Sequence, residues 1–233
     1  MKVKLISTTQ NLLDVLYTGA RTCYNTGSPI DMFEDVSNIP QDKKIKLIDS
    51  CIKSGHHSVL EHSQFTFAIE GVSRALLAQI SRHRVAVSLS VQSQRYVNLE
   101  NTFDYVTPKA LQDEGDLQGY FTECMQQAYE SYVDLINKGV KPEDARAVLP
   151  NACCTNMVIT LNLRSLIHLC QERLCSSAQL EIRQLVQQIV KEVLKQNEWL
   201  KSYLQPKCET LGYCPEHKSC GRKPKFNRLV DKE

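Results

Sequence analysis

Apolar residues recur along the chain at two spacings, and each spacing predicts a different element. A recurrence every three to four residues is typical of an amphipathic helix, and strict alternation is typical of a strand with one buried face. The helical spacing predicts helices at Asn11–Arg21, Gln41–Ser54, Val72–Arg82, Leu117–Lys138, Leu163–Leu174 and Ser177–Leu204, and a short one between Pro142 and Pro150. Alternation predicts strands at Lys2–Ser7 and Gln64–Glu70.

These elements indicate the α+β class. We expect a single domain over residues 1–205, with a small, mostly antiparallel sheet packed by several long helices. Pro206 ends the last predicted helix, and residues 206–233 are rich in cysteine and lysine. This last segment is therefore predicted to be a separate tail.

The segment from Gln79 to Tyr96 carries four basic side chains and no acidic one: Arg82, His83, Arg84 and Arg95. Guanidinium groups suit bidentate binding of phosphate, and a buried charge without a partner is costly, so the segment suggests an anion site. The segment has an apolar residue at every second position, at Val85, Val87, Leu89 and Val91. This alternation favours a segment that packs against the core. Charge alone leaves open a solvated face or a strip that contacts RNA.

Composition narrows the possible classes. The 233 residues carry a net charge of +2, which excludes binding to polyanions by overall charge. No apolar run reaches the roughly 18 residues of a membrane span, and the first six residues resemble a strand more than a signal peptide. We therefore expect a cytoplasmic protein without a membrane or nucleic-acid partner.

Ten cysteines are present, and seven of them lie in apolar segments, where they are predicted to be small buried side chains in a reducing compartment. A weak candidate for a metal site is the tail, with Cys208, Cys214, His217 and Cys220. Its spacing is wider than that of usual zinc ligands, so structural or free thiols are the preferred interpretation. No metal is predicted.

A second metal hypothesis concerns His57, Glu61 and His62, which with His56 would suit a metal-dependent nucleotide hydrolase. The stretch has one residue too many for the zinc motifs that it approaches. A packing or capping role for these side chains is the other alternative.

Four segments, in order, resemble the flavin-dependent thymidylate synthases. The central one is Arg82-His83-Arg84 followed by Ser93 and Arg95; the others are Gly55–His62, Ala145–Pro150, and Asn162–Leu166 through Arg173 to Ala178–Arg183. Between Arg84 and Ser93 the chain has one residue more than the family's usual spacing. Gln92 is assigned to the position that the family fills with Glu or Gln, and Val91 is its rival.

The resemblance implies the site residues. FAD would be bound by His56, Ser58, Arg82, His83, Arg84, Gln92, Asn162, Leu163, Arg164 and His168. The nucleotide dUMP would be bound by Gln79, Ile80, Ser81, Arg82, Gln92, Ser93, Gln94, Arg95, Arg146 and Arg173. Arg173 would be catalytic, because a fixed cation at the uracil edge stabilises negative charge there.

The resemblance also implies the reaction, which is reductive methylation of dUMP to dTMP. Methylenetetrahydrofolate would supply the carbon, FADH2 the hydride, and NADPH the electrons that regenerate the flavin. The family's homotetramer, with FAD at subunit interfaces, would explain why no Gly-x-Gly-x-x-Gly fingerprint is present.

Overall fold

The structure is a computed structural model that describes residues 1–97, 99 and 104–226. Its strands are β1 (Lys2–Thr8), β2 (Gln64–Ser73), β3 (Val87–Val91) and β4 (Cys154–Asn162). Within the described residues they form one antiparallel sheet in the order β1-β2-β4-β3. The predicted α+β class with a small antiparallel sheet is confirmed.

The helices of the described part are α1 (Leu12–Thr22), α2 (Pro29–Glu34), α3 (Gln41–Lys53), α4 (Arg74–Ile80), α5 (Lys109–Gln112), α6 (Gly115–Asn137), α7 (Pro142–Ala145), α8 (Leu163–Arg173), α9 (Leu180–Leu194) and α10 (Lys207–Leu211). Short 3₁₀ helices lie at Val36–Asn38, His57–His62, Arg146–Val148 and Glu198–Ser202. None of the described helices is both long enough and apolar enough to cross a membrane.

The chain divides into two compact units. Unit 1 comprises Met1–Val3, Ala68–His83 and Leu89–Ile159, and unit 2 comprises Lys4–Phe67, Arg84–Ser88 and the chain from Thr160 onward. The separate tail predicted at residues 206–233 stays a prediction, and its residues 227–233 lie outside the described residues.

Unit 1 is built on the long helix α6. Met125 of α6 and Cys153, the residue before β4, are buried. Tyr105 and Phe121 pack edge to face beside them, with ring centroids 5.9 Å apart. The start of α4 is joined to the chain that precedes β4, because the N–H groups of Arg74 and Ala75 donate to carbonyls of that segment at 3.0 and 2.9 Å. Unit 1 thus holds the beginning of α4 at a defined place.

Most of the buried apolar side chains among the described residues belong to unit 2. Helix α8 buries Leu163, Leu166, Leu169 and Cys170, and α9 buries Ile182, Leu185, Val186, Ile189 and Val193. Helix α1 packs on α3, where the nearly buried ammonium of Lys44 lies 2.6 Å from the carboxylate of Asp14. Helix α10 of the tail packs on α8.

Two helix predictions were wrong in extent. The helix predicted at Val72–Arg82 is only α4, because β2 continues to Ser73, whose hydroxyl accepts from the Leu76 N–H at 3.0 Å and starts the helix there. The helix predicted at Ser177–Leu204 is α9 alone, followed by a 3₁₀ helix. The backbone of Asn197, at φ −136°, is not helical. The stripe of buried apolar side chains nevertheless continues to Leu200.

Strand β4 and helix α2 were not predicted. Alternation is present in β4, where Thr155, Met157, Ile159 and Leu161 are buried. Helix α2 lies in a stretch that its glycine, proline and acidic residues had suggested to be a loop. It begins at Pro29 because the hydroxyl of Ser28 accepts from the Ile30 N–H at 3.2 Å.

Candidate active site

The turn after β3, in unit 1, is held through Gln92. The Gln92 N–H donates to the Asn156 carbonyl at 2.9 Å, and the Gln92 carbonyl accepts from Arg74 Nη2 at 2.8 Å and Thr155 Oγ1 at 3.5 Å. Asn156 Nδ2 also donates to Gln92 Oε1 at 3.0 Å. Four hydrogen bonds therefore fix both the backbone and the side chain of Gln92.

Ser93 and Arg95 form the turn itself. The Ser93 hydroxyl accepts from the Arg95 N–H at 3.1 Å, and the Ser93 carbonyl accepts from the Val97 N–H at 3.0 Å. The Arg95 guanidinium lies 5.3 Å from the ring centroid of Tyr96, and its Nε is 2.5 Å from a carboxylate oxygen of Glu143. The arginine is thus oriented by an aromatic ring and an acid.

Arg146 meets the same glutamate. It follows α7, and its Nε donates to the Glu143 carbonyl at 2.9 Å. Arg95 and Arg146 are distant in the sequence, and both were predicted to bind the nucleotide. The structure brings them together at Glu143, with both guanidiniums at the surface.

The end of α4 carries the remaining unit 1 candidates. Gln79 is half-buried and its Nε2 donates to the Ala75 carbonyl at 3.4 Å, and Ser81 Oγ donates to the Ala78 carbonyl at 3.2 Å. Ile80 is fully buried, so its side chain packs the core and only its backbone is available to a ligand. The N–H of Arg82 donates to the Gln79 carbonyl at 3.4 Å, while its exposed side chain has no hydrogen bond or ion pair to a residue in the described ranges.

Two more predicted side chains of unit 1 are half-buried. The Gln94 amide nitrogen donates to the sulfur of Cys153 at 3.6 Å. Burial raises the pKa of the Cys153 thiol, while the charge of Arg74 and the Gln94 hydrogen bond oppose that rise. The N–H of His83 donates to the Ile80 carbonyl at 3.1 Å, which continues the turn that ends α4.

Arg74 is a residue that the motif comparison missed. It contacts Gln92, as described above, and the charge of Arg146 acts on it. Burial lowers the pKa of the Arg74 guanidinium; the thiol of Cys153 opposes this effect and the charge of Arg146 adds to it. The available signal in the sequence was a single arginine at the start of a predicted helix, which is too common to stand out.

The segment Arg84–Ser88 lies in unit 2 and is attached to α8. Ser165 Oγ donates to the Val85 carbonyl at 2.6 Å, and Ala86 adopts a left-handed conformation with φ of 51°. Val85 is 78% exposed, although it was predicted to pack against the core with the other alternating apolar residues. The partly buried positions of this pattern begin only with β3. Arg84 is exposed and has no hydrogen bond or ion pair to any residue that the structure describes.

The histidine segment is also attached to α8. Ser63 Oγ donates to the Leu60 carbonyl at 2.8 Å and accepts from the Leu163 N–H at 3.3 Å. Glu61 forms an ion pair with Arg164, at 2.5 Å between Oε1 and Nη1. The predicted flavin contacts His56 and Ser58 are exposed at the start of this segment. Unit 2 therefore brings three separate stretches of flavin candidates to the beginning of α8.

Helix α8 carries the predicted site residues on two faces. Asn162 is buried and caps it, accepting from the Ser165 N–H at 2.9 Å, and the Leu163 side chain is fully buried in the core. Arg164 and His168 are exposed one turn apart on one face. Arg173 is nine residues beyond Arg164, and at 100° and 1.5 Å per residue it lies on the opposite face, about 14 Å along the axis.

No group of three or more histidine, cysteine, aspartate or glutamate side chains in the described part is arranged to hold a metal ion. In the histidine segment, His57 Nε2 lies 3.2 Å from the Ile52 carbonyl, and Glu61 is paired with Arg164. In the tail, Cys208 and Cys214 are buried and Cys220 is exposed. The ten cysteines, all of them described, are free thiols.

Comparison with known proteins gives the family. The family model described as "Thymidylate synthase complementing protein" matches residues 4–197. The chain is 41% identical to a flavin-dependent thymidylate synthase of Nitratidesulfovibrio vulgaris, over 96% of this chain and 95% of that protein. It is 37% identical to the proteins of that name from Clostridium tetani (98% and 96% covered) and Pyrococcus furiosus (93% and 90%).

An α+β protein with arginine-rich polar sites of this kind, matched over nearly its full length, belongs to a family of enzymes. That family is the flavin-dependent thymidylate synthases, as the four sequence segments indicated.

Proposed function

We propose that the protein catalyses the reductive methylation of dUMP to dTMP. The carbon comes from methylenetetrahydrofolate, and NADPH regenerates the flavin. The reaction takes place in the cytoplasm, where a reducing environment keeps the ten cysteines as free thiols. The names of the relatives support thymidylate synthesis with a flavin, and the two donors are the finer part of the proposal.

The observation that carries the proposal is the meeting of Arg95 and Arg146 at Glu143. A phosphate dianion needs several fixed donors, and guanidinium groups bind it in a geometry that a lysine does not reproduce. The turn at Ser93 adds a hydroxyl, and Gln79 and Gln94 add amide groups in the same unit. These residues would bind dUMP by its phosphate and orient the base.

The flavin is proposed to bind at the unit 2 candidates grouped near the start of α8. The resemblance also implies Arg82, His83 and Gln92, which lie in unit 1. The FAD pyrophosphate needs cations that are not already neutralised, and Arg84 and Arg82 are exposed with no ion pair to a described residue. The N–H groups at the start of α8 are less available to the pyrophosphate, because the side chains of Asn162 and Ser63 already accept from two of them. The residues thus fit the cofactor, which when bound and reduced would supply the hydride.

Arg173 is proposed to act on the uracil. Its guanidinium would stabilise negative charge on the pyrimidine ring while the new carbon bond forms. The flavin candidates Arg164 and His168 lie on the other side of α8, so one copy of this helix does not direct them and Arg173 to the same place. This supports a homotetramer in which a second copy completes each site.

Purification and one assay test the proposal. We expect a yellow protein that forms dTMP from dUMP only when methylenetetrahydrofolate and NADPH are both present. Each co-substrate is omitted in turn, and NADH replaces NADPH as a matched control. Light scattering gives the oligomeric state. A flavin-free preparation that also fails to bind added FAD, or no dTMP with all components present, contradicts the proposal.

A further inference from the structure

Arg74 occupies a fixed position in unit 1. Its N–H donates to the Cys153 carbonyl at 3.0 Å, and the next N–H, of Ala75, donates to the Asn151 carbonyl at 2.9 Å. Ser73, immediately before it, caps α4. The base of the Arg74 side chain therefore cannot shift without breaking the start of the helix.

The guanidinium of Arg74 has one hydrogen bond and no counter-charge in the described part of the chain. Nη2 donates to the Gln92 carbonyl at 2.8 Å, while Nε is buried without a hydrogen-bond partner among the described residues. An arginine stays protonated in proteins, and a partly buried charge without an acid is unfavourable. Such a cost suggests that the charge serves a ligand.

The surroundings of Arg74 indicate the charge of that ligand. Arg146 is close enough for its charge to act on Arg74, and the carboxylate of Glu143 is occupied by Arg95. Two guanidiniums whose charges repel each other, with no ion pair to a described residue, favour an anion beside them. Through Gln92, Arg74 also determines where the turn that carries Ser93 and Arg95 begins.

We propose that Arg74 is a positioning residue of the nucleotide site, which holds the Gln92–Arg95 turn and adds a fixed positive charge that selects a dianionic ligand over a neutral one. This rests on the proposed binding of dUMP in unit 1. Arg74 acts through the turn and through its charge, and contact with the nucleotide is not required.

The test compares dUMP with deoxyuridine, which lacks the phosphate, on the full-length protein loaded with FAD. Dissociation constants of both are measured for the wild type, Arg74→Gln, Arg74→Lys and Lys138→Gln. The last variant is the matched control: it removes one charge from an exposed ion pair of the same unit. We expect Arg74→Gln to weaken dUMP binding about tenfold, which corresponds to about 1.4 kcal/mol. Deoxyuridine binding should weaken far less, because the charge of Arg74 attracts the phosphate that deoxyuridine lacks. Arg74→Lys should recover most of the preference.

Arg74→His gives a second, independent readout if Arg74→Gln does not fold. Its imidazole gains a proton as pH falls, so the preference for dUMP, relative to wild type at each pH, should return between pH 8 and pH 6. The role of Arg74 is overturned if Arg74→Gln weakens the binding of dUMP and deoxyuridine equally. It is also overturned if that variant keeps the wild-type preference for dUMP. If the wild type itself binds no dUMP, the proposed function is wrong instead.

Discussion

The two units present their candidate residues in different ways. In unit 1 the nucleotide candidates are already oriented by the protein: Gln92 accepts or donates four hydrogen bonds, and Arg95 and Arg146 both contact Glu143. In unit 2 the backbone segments are fixed to α8 by the hydroxyls of Ser63 and Ser165, but Arg84 extends into solvent. The first arrangement favours precise placement of a small ligand, and the second leaves cations available for a large one.

The largest effect that we expect concerns stability, and it separates unit 2 from unit 1. Asp14→Ala leaves the Lys44 ammonium, which is 8% exposed, without its partner, and removing one member of a buried pair costs about 3–5 kcal/mol. Asp134→Ala is the matched change in unit 1, where the pair with Lys138 is exposed and worth about 0.3–0.5 kcal/mol. Urea unfolding measures both, and similar losses for the two variants would contradict the contrast.

The next effect is on catalysis. Arg173→Ala should slow the dUMP-dependent oxidation of reduced flavin about 10²–10³-fold, because it removes a cation from the developing negative charge. The flavin spectrum of the variant should be unchanged, since Arg173 lies on the face of α8 opposite Arg164. Arg173→Lys keeps the charge without the planar fork and should be intermediate. A normal oxidation rate in Arg173→Ala would remove the residue from the catalytic step.

A smaller effect tests the division of ligands between the units. Arg84→Ala should weaken FAD about tenfold and leave dUMP unaffected, whereas Arg95→Ala should weaken dUMP about tenfold and leave FAD unaffected. Each variant is the control for the other, and both ligands are titrated by fluorescence. Loss of both ligands in both variants would mean that the two sets of residues do not act separately.

The smallest effect is in thiol reactivity, where only the thiolate reacts. Hydrogen bonding from the Ser176 hydroxyl lowers the pKa of the exposed Cys220, while burial raises the pKa of Cys153. At pH 7.5 Cys220 therefore carries more thiolate, and iodoacetamide should label it well before Cys153, as mass spectrometry of peptides would detect. Exposed Cys23 is the reference thiol, and Ser176→Ala should slow labelling of Cys220. Labelling of Cys153 first would contradict this order.

Much of the fold was predictable from local patterns. Helices α1, α3, α6 and α8 follow apolar stripes within a few residues of the predicted bounds. Helix α9 was overextended because the stripe continues through Leu200 even though the backbone turns at Asn197. A stripe records which side chains are buried, but it does not record a change of backbone direction between them.

The candidate site was predicted unevenly. The motif identified Arg95 and Arg146 but gave no reason for their meeting at Glu143, and it included Ile80 and Leu163, whose side chains are buried. Arg74 and Asn156 were missed. Their importance comes from contacts with Gln92, which lies far from Asn156 along the chain and was not recognised as the partner of either.

By itself, the sequence determined the class of fold, the family and the identity of the charged groups, because periodicity and ordered motifs are local or nearly local properties. Tertiary structure alone decided that Arg95 pairs with the carboxylate of Glu143, and that Nε of Arg74 is buried without a hydrogen-bond partner among the described residues. Those relations depend on distances between residues far apart in the chain, and such distances exist only once the strands and helices have packed.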